Sequence, residues 1–187
     1  MDIIRAPETI DTVKETEMVI GTMSLRVAEI KDKKAMRIMP QFAGVEFCLF
    51  TIDLTCYNRY LDDERSTNEL DDRLAYLKAI FRSEYFDTTI VLLVFTNSSA
   101  FEKQIAHAPL KSHFEDYTGG NSVEAATKYI LGRCKRTNKL QRPFFWHSYN
   151  SEAHDREAES MANFFRQSAA SVTFVTWLRD IGLGPGT

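Results

Sequence analysis

Four consecutive residues, Thr96-Asn97-Ser98-Ser99, follow the apolar run Ile90–Phe95 and precede a stretch in which Ser99 and Glu102 have capping-box spacing. The run reads as a strand buried on both faces of a parallel sheet. Ligands of open α/β sheets sit just past the carboxyl ends of such strands. The chemistry available at this one is hydrogen bonding by three hydroxyls and an amide, with no acid or base among them. The bland reading is a turn in which Ser99 caps the next helix, worth about 1 kcal/mol. Glu29, at the end of another extended segment, supplies a carboxylate that suits a cation only if other ligands join it. Lys31, Lys33, Lys34 and Arg37 form a basic stretch fit for phosphate or a partner surface, although short charge runs are ordinarily solvated. His147 and His154 stand near Asp155 and Glu157 without ligand-grade spacing, so no metal site is assigned, and no GxSxG elbow occurs.

The elements that must position these residues alternate along the chain. Val13–Ile20 and Ser24–Ile30 read as a hairpin turning at Gly21-Thr22, and Val45–Leu54 as a buried strand. Ser66–Arg82 is predicted as a helix, with Ser66 and Glu69 as its capping box and Leu70, Leu74, Leu77 and Phe81 as its apolar stripe. After Ile90–Phe95 come a short helix from Ala100 to Ala106, a loop over Pro109–Asn121, a helix over Ser122–Cys134 and a late strand, Phe144–Tyr149. A long helix over Asp155–Asp180 closes the chain, with Met161, Phe164, Phe165, Ser168, Val172, Val175 and Leu178 along one stripe. Strand–helix alternation without repeats or linkers predicts an α/β domain with a mostly parallel sheet. The 187 residues are read as one domain: a switch-like region and hairpin over 1–44, sheet and helices over 45–183, and a tail over 184–187. A net charge of −3 argues against nucleic acid. Cys48, Cys56 and Cys134, odd in number and without CxxC spacing, fit buried thiols in a reducing, cytoplasmic setting, and no apolar run is long enough to span a membrane.

The order and wording of these segments resemble the α subunit of heterotrimeric G proteins. Phe101-Glu102, Ile105, Pro109-Leu110, Phe114, Asp116-Tyr117-Thr118-Gly119, Asn121, Glu124-Ala125-Ala126 and Tyr129-Ile130 follow that family's pattern without a gap. Tyr57, Leu61-Asp62-Asp63-Glu64, Asn68, Leu74, Ile80 and Phe86 match the region before it, and Phe42-Ala43-Gly44-Val45 is similar to the family's FEGV. Asp2-Ile3-Ile4-Arg5-Ala6 with Glu15-Thr16 resembles the entry to its first switch, and Leu178–Leu183 its receptor-facing tail. The resemblance implies an incomplete Ras-like domain of the P-loop GTPase type. The family's first strand, which lies mid-sheet, has no counterpart here, so Ser24–Ile30 and Val45–Leu54 are expected to close on each other.

The resemblance also implies a function, from which this chain departs wherever nucleotide chemistry is concerned. No GxxxxGK[ST] loop occurs in the sequence. The family's catalytic Arg falls on Pro7 and its Mg²⁺-binding Thr on Ile10, and neither replacement can do that work. Switch II is matched by Glu29-Ile30-Lys31-Asp32-Lys33, with the water-orienting Gln replaced near Lys33. The guanine motif falls on Thr96–Ser99, or on Asn97–Ala100 if shifted by one; either way its Asp is gone. Arg5, Glu29, Thr96, Asn97, Ser98 and Ser99 are thus degraded nucleotide positions. No cofactor is expected where the family uses GTP or GDP with Mg²⁺, and no hydrolysis by this chain. The rival expectation is a divergent GTPase whose P-loop lies outside this chain, and another is a small-molecule binder that reuses the crevice. Partners implied by the family are a βγ dimer, met by Lys33, Lys34, Arg37 and Ile38, and a receptor or scaffold, met by Trp177, Leu178, Ile181 and Leu183. Those partners would bring a cytoplasmic protein to the plasma membrane's inner face.

Overall fold

Alternation of polar and apolar residues in VKETEMVI and MSLRVAEI produces two strands, β1 (Val13–Ile20) and β2 (Met23–Ile30), paired antiparallel from Val13↔Ile30 to Ile20↔Met23. The computed structural model describes residues 13–20, 23–30, 39–61, 66–149 and 159–170. The chain divides into two compact units between Ala43 and Gly44. The first holds the hairpin and a 3-10 turn at Met39–Phe42. An Arg26–Glu15 ion pair crosses the hairpin, but both side chains are at least half exposed, so it contributes little.

The second unit is a mixed α/β layer structure. Strands β3 (Phe47–Asp53), β4 (Ile90–Thr96) and β5 (Phe144–Ser148) are all parallel, in the order β3-β4-β5. Central β4 is buried from Ile90 through Phe95, as the unbroken apolar run requires. Helices α1 (Glu69–Arg82), α2 (Ser98–His107) and α3 (Val123–Thr137) and a fourth, α4 (159–170), supply the cover. Phe81 of α1 meets Phe144 edge-on at 5.9 Å, while Phe164 of α4 stacks on His147 at 5.3 Å. Residues 144 and 147 of one strand point to opposite faces, so α1 and α4 lie on opposite sides of the sheet.

Leu70, Leu74, Leu77 and Phe81 are buried as their spacing predicts, but α1 begins later than expected. Its cap is Asn68, not Ser66: Asn68 Oδ1 accepts from the Leu70 N–H at 2.9 Å while its Nδ2 donates to the Tyr57 carbonyl at 2.6 Å. A serine could cap, but only an amide also carries the two-hydrogen donor that ties the helix start to the preceding turn. Ser122 caps the helix that starts at Val123, its Oγ accepting from the Ala125 N–H at 3.2 Å. Gly119 is fixed by space: a Cβ there would lie 2.5 Å from Tyr117 Oη and 2.7 Å from Ala125 Cβ. The expected pairing of Ser24–Ile30 with Val45–Leu54 is not among the described ladders: β2 pairs with β1, β3 with β4, and the two ladders belong to different units. The long terminal helix is described only over 159–170, where Ser168 is buried, and the remainder lies outside the described residues.

Candidate functional site

Three strand ends converge at the carboxyl edge of the sheet. At β4, Asn97 adopts a left-handed conformation (φ 59°, ψ 36°) and its carbonyl accepts the Phe101 N–H at 2.9 Å, so α2 starts at Ser98. This corrects the expectation that Ser99 is the cap: Ser99 sits inside the first turn, and Asn97, which tolerates positive φ better than most residues, makes the corner. Ser98 Oγ reaches the Tyr149 carbonyl at 3.4 Å, and the Tyr149 N–H donates to Phe95 O at 2.7 Å, which draws the end of β5 against that of β4.

At β3 the sequence reading missed the principal feature. Asp53 ends the strand and caps the 3-10 turn Leu54–Asn58. Its Oδ1 accepts from the Thr55 N–H at 2.8 Å and from Thr55 Oγ1 at 2.7 Å, and its Oδ2 from Arg59 Nη2 at 3.0 Å. Arg59 Nη1 also donates to Thr55 Oγ1 at 2.7 Å, and its Nε to Glu69 Oε2 at 2.6 Å, on the first residue of α1. Burial alone would raise the Asp53 carboxyl; hydrogen bonds from Thr55, Arg59 and Asn97 outweigh it and hold the group below the ordinary range. The Arg59 hydrogen bond does the same for Glu69. The available signal was an Asp at a strand end with Thr two residues on, an Asx-turn pattern.

Thr96, Asn97, Ser98 and Ser99 are therefore brought together on one corner, and the nearest carboxylate is already neutralised by Arg59. Glu29 lies on exposed β2 opposite Lys14, in the other unit. Arg5, Lys33, Lys34, Arg37, Ile38, Trp177, Leu178, Ile181 and Leu183 lie outside the described residues. Among the described residues no group of three His, Cys, Asp or Glu side chains is placed to hold a metal ion. Burial pushes the Cys48 thiol up to about 11 and those of Cys56 and Cys134 to about 12, so none of them offers a thiolate near neutrality.

A strand, a turn and a capped helix in this order, continued through the Asp116–Gly119 loop into α3, match a known pattern. The family described as G-protein alpha subunit matches residues 1–168. The chain belongs to the G-protein α-subunit family. It is 27% identical over 149 residues to the guanine nucleotide-binding protein alpha-3 subunit of Neurospora crassa, covering 79% of this chain and 42% of that one. It is 26% identical over 148 residues to a guanine nucleotide-binding protein subunit alpha of Cryptococcus neoformans, covering 78% and 34%, and to the alpha-3 subunit of Ustilago hordei, covering 78% and 42%. This Gα-type chain thus spans less than half the length of these relatives. No helix among its described residues is long and apolar enough to cross a membrane.

Proposed function

We propose that this Gα-like chain acts in G-protein signalling through protein contacts and neither binds nor hydrolyses GTP. One observation carries the reading: the turn aligned with the guanine motif offers only hydroxyls and an amide, and Asp53, the carboxylate beside it, is consumed by Thr55, Arg59 and Asn97. A guanine reader needs an uncommitted carboxylate facing the base edge, and a triphosphate needs cations or a metal. Pro7 and Ile10, at the positions matching the family's Arg and Thr, add to the misfit. The residues present do not fit GTP with Mg²⁺, and no catalytic step is assigned to them.

The partners are a βγ dimer, through Lys33, Lys34, Arg37 and Ile38, and a receptor or scaffold, through Trp177, Leu178, Ile181 and Leu183; they hold the cytoplasmic protein at the membrane surface. A second reading is supported by the share of the relatives' length that this chain spans. In it, an active divergent GTPase takes its phosphate loop from sequence outside this chain. Thermal unfolding with GDP or GTPγS plus Mg²⁺ separates the two. Bound ligand at about 100 times its dissociation constant adds about 2.7 kcal/mol. The expected result is an unchanged melting temperature, and a clear upward shift sinks the proposal. Capture on immobilised βγ, with Lys33→Glu/Lys34→Glu as control, checks the partner: equal retention of both proteins removes the basic stretch from the interface.

A further inference from the structure

The turn that joins α3 to β5, at the amino end of the sheet, gathers cations. Between Glu124 and Glu152 the chain has six Lys and Arg and no Asp or Glu, in a protein whose net charge is −3. Two of the six are ion-paired, Lys128 with Glu124 and Arg133 with Asp71. Arg142 donates to the Ser83 carbonyl at 2.9 Å, a bond that leaves its charge in place. Lys135, Arg136 and Lys139 are exposed and form no ion pair with a described acid. The neighbouring turn that Arg142 reaches sets Arg82 against Glu84 and Asp87, so this end of the unit stays net positive. Cations suit the last turn of a helix, which accounts for Lys135 and Arg136, but Lys139 and Arg142 lie beyond α3. The turn itself holds one apolar side chain outward. Asn138 clamps it at both ends, its Nδ2 donating to the Arg142 carbonyl at 2.7 Å and its Oδ1 accepting from the Arg142 N–H at 2.9 Å. Gln141 inside the clamp keeps φ at 52°, which a residue other than glycine holds only where its surroundings fix it. Leu140, 59% exposed, stands between exposed Lys139 and Gln141.

We propose that this turn is a membrane-surface contact: Lys135, Arg136, Lys139 and Arg142 meet the headgroups of anionic phospholipids while Leu140 enters the boundary between headgroups and acyl chains. Charge complementarity fixes the sign of the occupant, and the lone leucine fixes its class. A folded acidic protein gains from Leu140 only if it carries a socket shaped for it. A lipid interface accepts any exposed apolar side chain, and binding grows with the apolar area it buries and with attraction to anionic lipid. Each Lys or Arg near an anionic leaflet tightens binding about fivefold, so four cations and a leucine suffice for reversible attachment. The clamp matters because a turn already held in shape gives up little freedom on docking. The contact goes beyond the function proposed above: it uses none of the residues assigned to βγ or to a receptor, and it lies at the end of the sheet opposite Thr96–Ser99.

Co-sedimentation of the whole chain with three-to-one phosphatidylcholine–phosphatidylserine vesicles tests the contact, because such vesicles hold neither βγ nor receptor and their failure to bind would leave those partners untouched. Binding is expected, to be weakened by salt and to vanish on phosphatidylcholine alone. Lys135→Gln/Lys139→Gln should bind about 25-fold more weakly. Leu140→Ser should also weaken binding, and Leu140→Trp should tighten it, since tryptophan settles at headgroup level. Lys128→Gln, on the same helix but paired with Glu124, should bind within about twofold of wild type. All four positions are exposed, so the fold survives these changes. No binding to the mixed vesicles, equal binding with and without phosphatidylserine, or unchanged binding by Lys135→Gln/Lys139→Gln overturns the proposal. Retention on immobilised poly-glutamate by a protein that the vesicles do not retain also overturns it, and assigns the turn to an acidic protein surface.

Discussion

β3 and β4 end side by side, yet their ends are built on opposite principles. The first closes on a charged corner in which Arg59 donates to both Asp53 and Glu69, and Asp53 also accepts from the Thr55 N–H and hydroxyl. The second closes on a neutral turn, Thr96–Ser99, shaped by one residue at positive φ. In a sheet that bound a charged ligand the charges would face the crevice. Here they face each other, and the charge at this edge joins β3 to α1.

The corner's buried part should break most severely. Asn68 is buried and both ends of its amide are bonded, so Asn68→Ala leaves the Leu70 N–H and the Tyr57 carbonyl without partners and costs about 2 kcal/mol. Urea unfolding measures this, and a loss below about 0.5 kcal/mol would refute the double role. Arg59→Met comes next. It strands two carboxylates, but all three groups are partly solvated, so the expected loss is about 1 kcal/mol. If Arg59→Met proved the more damaging of the two, the corner would be held by charge rather than by the capped helix start.

Legibility in the sequence follows the same division. Periodicity over Leu70–Phe81 and the unbroken run Ile90–Phe95 located a helix and a central strand, because burying those side chains leaves few alternatives. The hairpin was legible from the turn between two extended segments, and a parallel sheet from the alternation of strand and helix. Caps were misread at both Ser66 and Ser99. Each time an asparagine did the work, at Asn68 by its two-ended hydrogen bonding and at Asn97 by its tolerance of positive φ, and a capping-box pattern registers neither property. The Asp53–Arg59–Glu69 corner was hidden because its members are separated in sequence and join only when β3 and α1 pack. The turn at Asn97 falls within the expected Thr96–Ser99, since a strand's carboxyl end and a helix start bracket it, although β4 takes Thr96 and α2 begins at Ser98.

Acid sharpens the contrast. The Asp53 and Glu69 carboxyls are held below their ordinary range in the folded chain. Their contribution is therefore complete above the unfolded carboxylate values near pH 4 and is lost as pH falls through the depressed folded ones. Urea midpoints measured downward from pH 6 should decline below about pH 4. Asp53→Asn should flatten part of that decline. An unchanged slope in Asp53→Asn would mean that other carboxylates dominate, and that the corner is a weaker tie than its geometry implies.

The smallest effect is expected at the neutral turn, and it discriminates most finely. Asn97 holds φ 59°, a conformation that glycine reaches without a Cβ penalty, while its side chain lends one hydrogen bond to Asp53. Asn97→Gly exchanges that bond for relief of strain, and the two terms are of similar size, so stability should change by less than about 0.5 kcal/mol. The acid limb should shift slightly upward in pH, because Asp53 has lost one of its donors. Asn97→Ala keeps the Cβ and loses the bond, so it should be less stable than the glycine variant by about 1 kcal/mol. If alanine and glycine proved equally tolerated, the turn would not be set by backbone geometry. Asn97 would then serve through its amide, and the two strand ends would be coupled parts of one polar site.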